Sequence, residues 1–129
     1  MHISEEQYRQ FLSKSIDYKQ NKYKNKKVVY DGIKFDSIKE KRAYTMYKLM
    51  EQTGEIKELQ RQVEYILLEP FVLNDKKYRK TSYICDFTYK DKEDKLHVID
   101  VKSEATKTQV YKLKKKLMAW KYGIEIEEI

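Results

Sequence analysis

The segment Leu96-His97-Val98-Ile99-Asp100-Val101-Lys102 constrains this chain more than any other. Its apolar residues fall on both alternating faces, the pattern of a central strand covered on two sides. Two charges sit at its C-terminal end, and alternation places Asp100 and Lys102 on one face. Charges held there are costly unless they pair with each other or bind a cation. The segment alone leaves both solutions open. A chain of 129 residues has room for one domain built around such a sheet.

The strand before it carries its own odd residue, the carboxylate of Ile84-Cys85-Asp86-Phe87. If the two strands form a hairpin with its tip at Glu93, Asp86 falls opposite Asp100, with Cβ atoms about 4.5–5.5 Å apart. Two carboxylates so close repel, and a hard divalent cation between them removes the conflict. Lys102 is then placed to assist activation of an attacking water or to neutralise charge on a phosphorane-like transition state. Cys85 and His97 alternate away from these acids and read as packing residues. Two His and one Cys make a zinc site a poor fit.

The flanking elements follow from pattern. Ser4-Glu5-Glu6-Gln7 is a capping box ahead of Tyr8, Phe11, Leu12 and Ile16 at helical spacing. From Lys19 to Lys27, five Lys alternate with polar residues and Tyr23, as a solvated connector or a basic arm. Asp31-Gly32 between Val28–Tyr30 and Ile33–Phe35 predicts a hairpin. Ser37-Ile38-Lys39-Glu40 opens a helix that runs to Gly54, with Ile38, Ala43, Tyr44, Tyr47, Leu49 and Met50 mostly compatible with one face. Glu40 is the capping-box acid, and an acid at that point can also reach a metal site at a sheet edge.

Extended segments are expected at Val63–Leu68, Phe71–Leu73, Tyr78–Tyr89 and Leu96–Lys102, with turns at Asn74-Asp75 and Lys92-Glu93-Asp94. A second helix spans Thr106–Tyr122, with Val110, Leu113, Leu117 and Trp120 as its apolar stripe, and Gly123 closes it. Ile124–Ile129 is a last strand. The order predicts an α/β domain with a central mixed sheet and packed helices.

Lys and Arg number 28 against 21 Asp and Glu, giving a net charge of +7 and favouring a polyanion partner, nucleic acid first. Of those 28 residues 24 are Lys, so the charge alone weighs little. Twelve Tyr argue against disorder, and three Gly with one Pro exclude low-complexity classes. A single Cys excludes an internal disulfide and makes a reducing, cytoplasmic compartment the default. No run approaches the ~18 apolar residues of a membrane span, and the N-terminus does not read as a signal peptide, so no membrane partner is expected.

A helical Glu, an Asp on one strand and Asp-x-Lys on the next resemble the PD-(D/E)XK nuclease superfamily. More closely, the chain is similar to small phage-encoded proteins related to Holliday junction resolvases and endodeoxyribonucleases. The likeness runs through Lys22-Tyr23, VVYDGIKFDSIKEKRAY, GEIKELQRQVEYIL, YICDFTYKD, HVIDVKSEATKTQVYKLKKKLM and KYGIEI, roughly residues 22–129. It implies a restriction-endonuclease-like fold over 28–129, preceded by an N-terminal helix and basic arm over 1–27.

The resemblance also implies that Glu40, Asp86 and Asp100 bind Mg²⁺, with Mn²⁺ substituting, and that Lys102 is the catalytic lysine. Gln62 matches an accessory glutamine, although Val63 stands where the family often has Pro. Cys85 precedes Asp86 in place of the nominal Pro. Beside such a centre Lys107, Lys112, Lys115 and Lys116 are candidates to track a DNA backbone, with Arg79, Lys80 and Thr81 weaker ones. The implied activity is hydrolysis of phosphodiester bonds in branched DNA, in phage recombination or replication in the host cytoplasm. The implied assembly is a homodimer, with no small-molecule cofactor. The rival expectation is a catalytically silent nuclease fold that binds DNA or a protein of the host machinery.

Overall fold

The computed structural model describes residues 4–7 and 27–129. The basic arm over 19–26 and the apolar positions Tyr8, Phe11, Leu12 and Ile16 lie outside the described residues. The predicted capping box is present: the Ser4 N–H donates to Gln7 Oε1 and the Gln7 N–H to Ser4 Oγ, each at 3.1 Å. The chain divides into two compact units, one of residues 1–59, 89–95 and 129, the other of 60–88 and 96–128.

In the first unit, strands β1 (Val28–Tyr30) and β2 (Ile33–Phe35) pair antiparallel, with Tyr30 opposite Ile33. Asp31 and Gly32 have φ of 55° and 73°, the two positive values a two-residue hairpin turn demands. Helix α1 (Ile38–Gln52) starts where Ser37 Oγ accepts the Glu40 N–H at 3.0 Å. Of the face the spacing predicts, Ala43, Tyr44, Tyr47 and Met50 are buried, while Ile38 and Leu49 are half-buried. Phe35 meets Tyr44 at 5.2 Å between ring centroids, and Tyr47 meets Tyr89 at 5.1 Å. Such pairs contribute about 0.5–1.5 kcal/mol each beyond area burial.

The remaining strands are β3 (Lys57–Leu68), β4 (Phe71–Leu73), β5 (Lys76–Tyr78), β6 (Thr81–Lys90), β7 (Leu96–Asp100) and β8 (Glu127–Glu128). Four of them form a sheet in the order β3-β6-β7-β8, while among the described residues β4 and β5 pair only with each other. Between β6 and β7 the Asp91 N–H donates to the Lys95 carbonyl at 3.0 Å, and Asp94 has φ of 64°. These five connecting residues are far too few for a parallel crossover, so the pair is antiparallel. β7 and β8 run parallel, with Asp100 beside Glu128, and helix α2 (Gln109–Tyr122) makes the crossover between them. The chain is therefore α/β with a mixed sheet. Among the described residues no helix is long and apolar enough to cross a membrane.

Several boundaries differ from the sequence reading. β3 begins at Lys57 rather than Val63, and the long Tyr78–Tyr89 stretch is broken at Arg79 and Lys80. The strand expected to reach Lys102 ends at Asp100, and α2 follows a 3₁₀ turn at Glu104–Thr106. The last strand keeps only two residues.

The face of α2 is the main correction. Of the stripe expected to pack, Leu117 is partly buried against the core, while Val110 at 62%, Leu113 at 54% and Trp120 at 78% are exposed. Tyr111 and Met118 enter the core instead, beside Leu67, Tyr83, Cys85, Val98 and Ile126. Anchors at the helix end hold this rotation: Lys121 Nζ and Tyr122 OH donate to the Ile66 carbonyl at 2.9 and 2.6 Å. Met118→Ala should therefore cost about 2–5 kcal/mol in chemical denaturation, by loss of packing and cavity formation. Trp120→Ala should stay within about 0.5 kcal/mol of wild type. The opposite ranking would contradict the orientation of the helix.

Candidate active site

Asp100 ends β7 almost wholly buried, at 3% exposure. A carboxylate so placed needs partners, and two converge on its Oδ2. Tyr83 OH donates at 2.6 Å, and Lys102 Nζ lies at 3.5 Å. Burial first, and then the bond to Asp100, push the Tyr83 phenol far above its ordinary range, so it remains a donor. Lys102 Nζ also lies 4.3 Å from the centroid of the Tyr111 ring, within cation–π range. Tyr111 is fixed in turn by its OH, which donates to Glu128 Oε2 at 2.7 Å.

Asp86 reaches the same strand end by another route. Its Oδ2 accepts the Val101 N–H at 2.8 Å, and its Oδ1 accepts from Gln62 Nε2 at 3.4 Å. Gln62 lies within β3 at φ of 52°, a left-handed conformation that bulges a strand and re-aims its side chains. The Val101 N–H bond and the Tyr83 bond hold Asp86 and Asp100 at the same C-terminal end of β7. Tyr83 and Cys85 share a buried cluster with Val98, two residues before Asp100. Three consecutive buried residues, Phe87, Thr88 and Tyr89, mark β6 as a strand covered on both faces.

A cavity of about 400 Å³ opens over this end of the sheet, lined by Ser82, Tyr83, Asp100, Lys102, Thr108 and Tyr111 among others. The structure thus brings together Gln62 with Asp86, and Asp100 with Lys102. Glu40 is buried in the first turn of α1, in the other unit, where its N–H meets the Ser37 cap. The four lysines proposed for a phosphate backbone divide. Lys107 and Lys115 form ion pairs with Glu128 at 3.3 and 3.0 Å. Lys112 and Lys116 are exposed beside a second cavity of about 480 Å³. His97 pairs with Glu127 at 2.5 Å, and Cys85 is fully buried, with burial pushing its thiol up to about 12.

Sequence reasoning missed Tyr83, Tyr111 and Glu128. The two tyrosines read as ordinary members of apolar patterns, and their hydroxyls become informative only once the acids they meet are known. Glu128 sits in the acidic tail Glu125-Ile126-Glu127-Glu128, where only the parallel register with Asp100 singles it out.

The family described as "Protein of unknown function (DUF1064)" matches residues 20–127. The chain belongs to that family. No curated protein and no solved structure matches the chain. The stretch matching DUF1064 contains Gln62, Asp86, Asp100, Lys102 and Tyr111, so the whole constellation except Glu128 falls inside it.

Glu128 yields a pH test. Burial acts to raise its pKa, but the bonds from Tyr111, Lys115 and Lys107 outweigh it and bring the carboxyl down to about 2. A depressed pKa stabilises the fold above the unfolded value near 4.5, and that stability is lost as pH falls toward 2. Glu128→Gln should therefore lower the thermal midpoint at pH 7, and the gap to wild type should close between about pH 5 and 2. A gap that is constant across that range would contradict the assignment.

Proposed function

We propose that the protein is a divalent-cation-dependent endodeoxyribonuclease with a restriction-endonuclease-like fold, acting on branched DNA. The observations that carry this reading are the bond from the Val101 N–H to Asp86 and the Asp100–Lys102 pair, which set both acids at the C-terminal end of β7 beside a cavity that Asp100 and Lys102 line. The donor set fits Mg²⁺ or Mn²⁺, because Asp86 and Asp100 offer hard carboxylate oxygens while the thiol and imidazole lie elsewhere. A bound cation would supply Lewis-acid polarisation of a phosphate oxygen and lower the pKa of the attacking water.

The chain's own residues do the rest. Tyr83 fixes the Asp100 carboxylate, Gln62 and the Val101 N–H fix that of Asp86, and the Tyr111 ring holds the Lys102 ammonium. The ammonium offsets negative charge that builds on the phosphate oxygens during in-line attack. Water adds across one P–O bond: its oxygen joins phosphorus, and the departing sugar oxygen takes up a proton. Lys112 and Lys116 extend positive charge along α2 for the DNA backbone. Symmetric cutting of a junction needs two such sites, which makes a homodimer part of the proposal.

One observation favours a second reading. The Asp100–Lys102 pair and the Tyr83 bond already satisfy the buried charge, as a silent DNA- or protein-binding fold would require.

The test is cleavage of a labelled four-way junction beside matched duplex and single strands. Mg²⁺-dependent cutting of the junction is expected, abolished by EDTA. Asp100→Asn and Lys102→Ala should each reduce the rate at least about 100-fold with DNA binding retained. Binding without cutting, in Mg²⁺ and Mn²⁺ alike, would move the assignment to the silent fold.

A further inference from the structure

The β4–β5 hairpin has no part in the constellation above, yet it is the least buried part of the second unit. It is a two-stranded sheet of its own, with Phe71 opposite Tyr78, Val72 opposite Lys77 and Leu73 opposite Lys76. Every residue from 68 to 80 is exposed. An isolated two-stranded hairpin is marginal in water. This one is braced locally. Asn74 and Asp75 take φ of 51° and 61°, fitting a tight two-residue turn. Phe71 and Tyr78 stack with centroids 4.6 Å apart and planes 8° from parallel, and Lys76 Nζ sits 5.3 Å from the Tyr78 ring.

Its charge says what it can meet. Lys76, Lys77, Arg79 and Lys80 stand against Glu69 and Asp75 in this stretch, and Lys80 is also bridged to Glu64 at 3.1 Å. A second copy of the ribbon laid against the first would bring these cations together, whereas a polyanion would neutralise them. A ribbon whose strands lie about 4.8 Å apart fits the roughly 12 Å major groove of duplex DNA. We infer that the β4–β5 ribbon is an arm that enters the major groove of a duplex segment of the substrate. The inference rests on the nuclease reading for the identity of the polyanion. The ribbon also joins β3 to β6, the strands that carry Gln62 and Asp86. Six residues of extended chain separate Lys80 from Asp86, about 20 Å at most, or roughly six base pairs of duplex.

The test is anisotropy of a labelled 20-base-pair duplex in EDTA across 50–200 mM salt, using the full chain. The triple variant Lys76→Ala, Lys77→Ala, Arg79→Ala should bind at least about 10-fold more weakly, with the log–log salt slope reduced by about 2 to 3. Lys77→Glu alone should weaken binding in the same direction, with circular dichroism unchanged in both. If the wild type binds and the triple variant does not, the arm stands even where no cleavage is ever seen. That result would sink only the catalytic reading. A triple variant that binds and cuts like the wild type overturns the arm and leaves the nuclease. Wild type without duplex affinity, or a triple variant altered only in oligomeric state by light scattering, also overturns it.

Discussion

A carboxylate at the end of a central strand, almost cut off from water, is the constraint that organises the second unit. Asp100 is 3% exposed, and a charge in that position is tolerated only with close partners. Tyr83 supplies a hydrogen bond from the neighbouring strand, and Lys102 supplies the countercharge from two residues on. Those partners need support of their own. The Lys102 ammonium lies over Tyr111, and Tyr111 is tied to Glu128, the residue beside Asp100 in the parallel pair β7–β8. The chain of contacts closes on the strand where it began.

That closure accounts for the rotation of α2. Turning Val110, Leu113 and Trp120 inward would carry Tyr111 away from both Glu128 and Lys102. The hydrophobic stripe therefore yields to a polar network that fixes the site. Stability is lost in exposing a tryptophan, and what it secures is an acid, a base and a ring in register at the mouth of one cavity. Natural chains break their own patterning rules most often at functional sites.

What could be read in the sequence was local. Asp31-Gly32, the Ser37 cap and the Gly123 stop each depend on a few neighbouring residues, and each stands where the pattern places it. Asp86, Asp100 and Lys102 stood out because charge inside an apolar strand is costly wherever it occurs. The hidden parts depended on distant partners. Two stripes of α2 satisfy helical spacing, and only contacts with Ile66 and Glu128 choose between them. The first half of β3, Lys-Glu-Leu-Gln-Arg-Gln, has no strand-like apolar alternation, and its extension follows from cross-strand pairs such as Glu58 with Lys90.

The proposed nuclease needs Asp86 and Asp100 to present oxygen donors jointly to a divalent cation at the end of β7. The most direct measurement is substoichiometric Mn²⁺ added to ¹⁵N-labelled protein, read as paramagnetic broadening of the backbone amides. Selective loss of the Asp86, Asp100 and Val101 signals is predicted, reversed by excess Mg²⁺ and absent in Asp86→Asn. Broadening centred elsewhere, or unchanged in that variant, would contradict it.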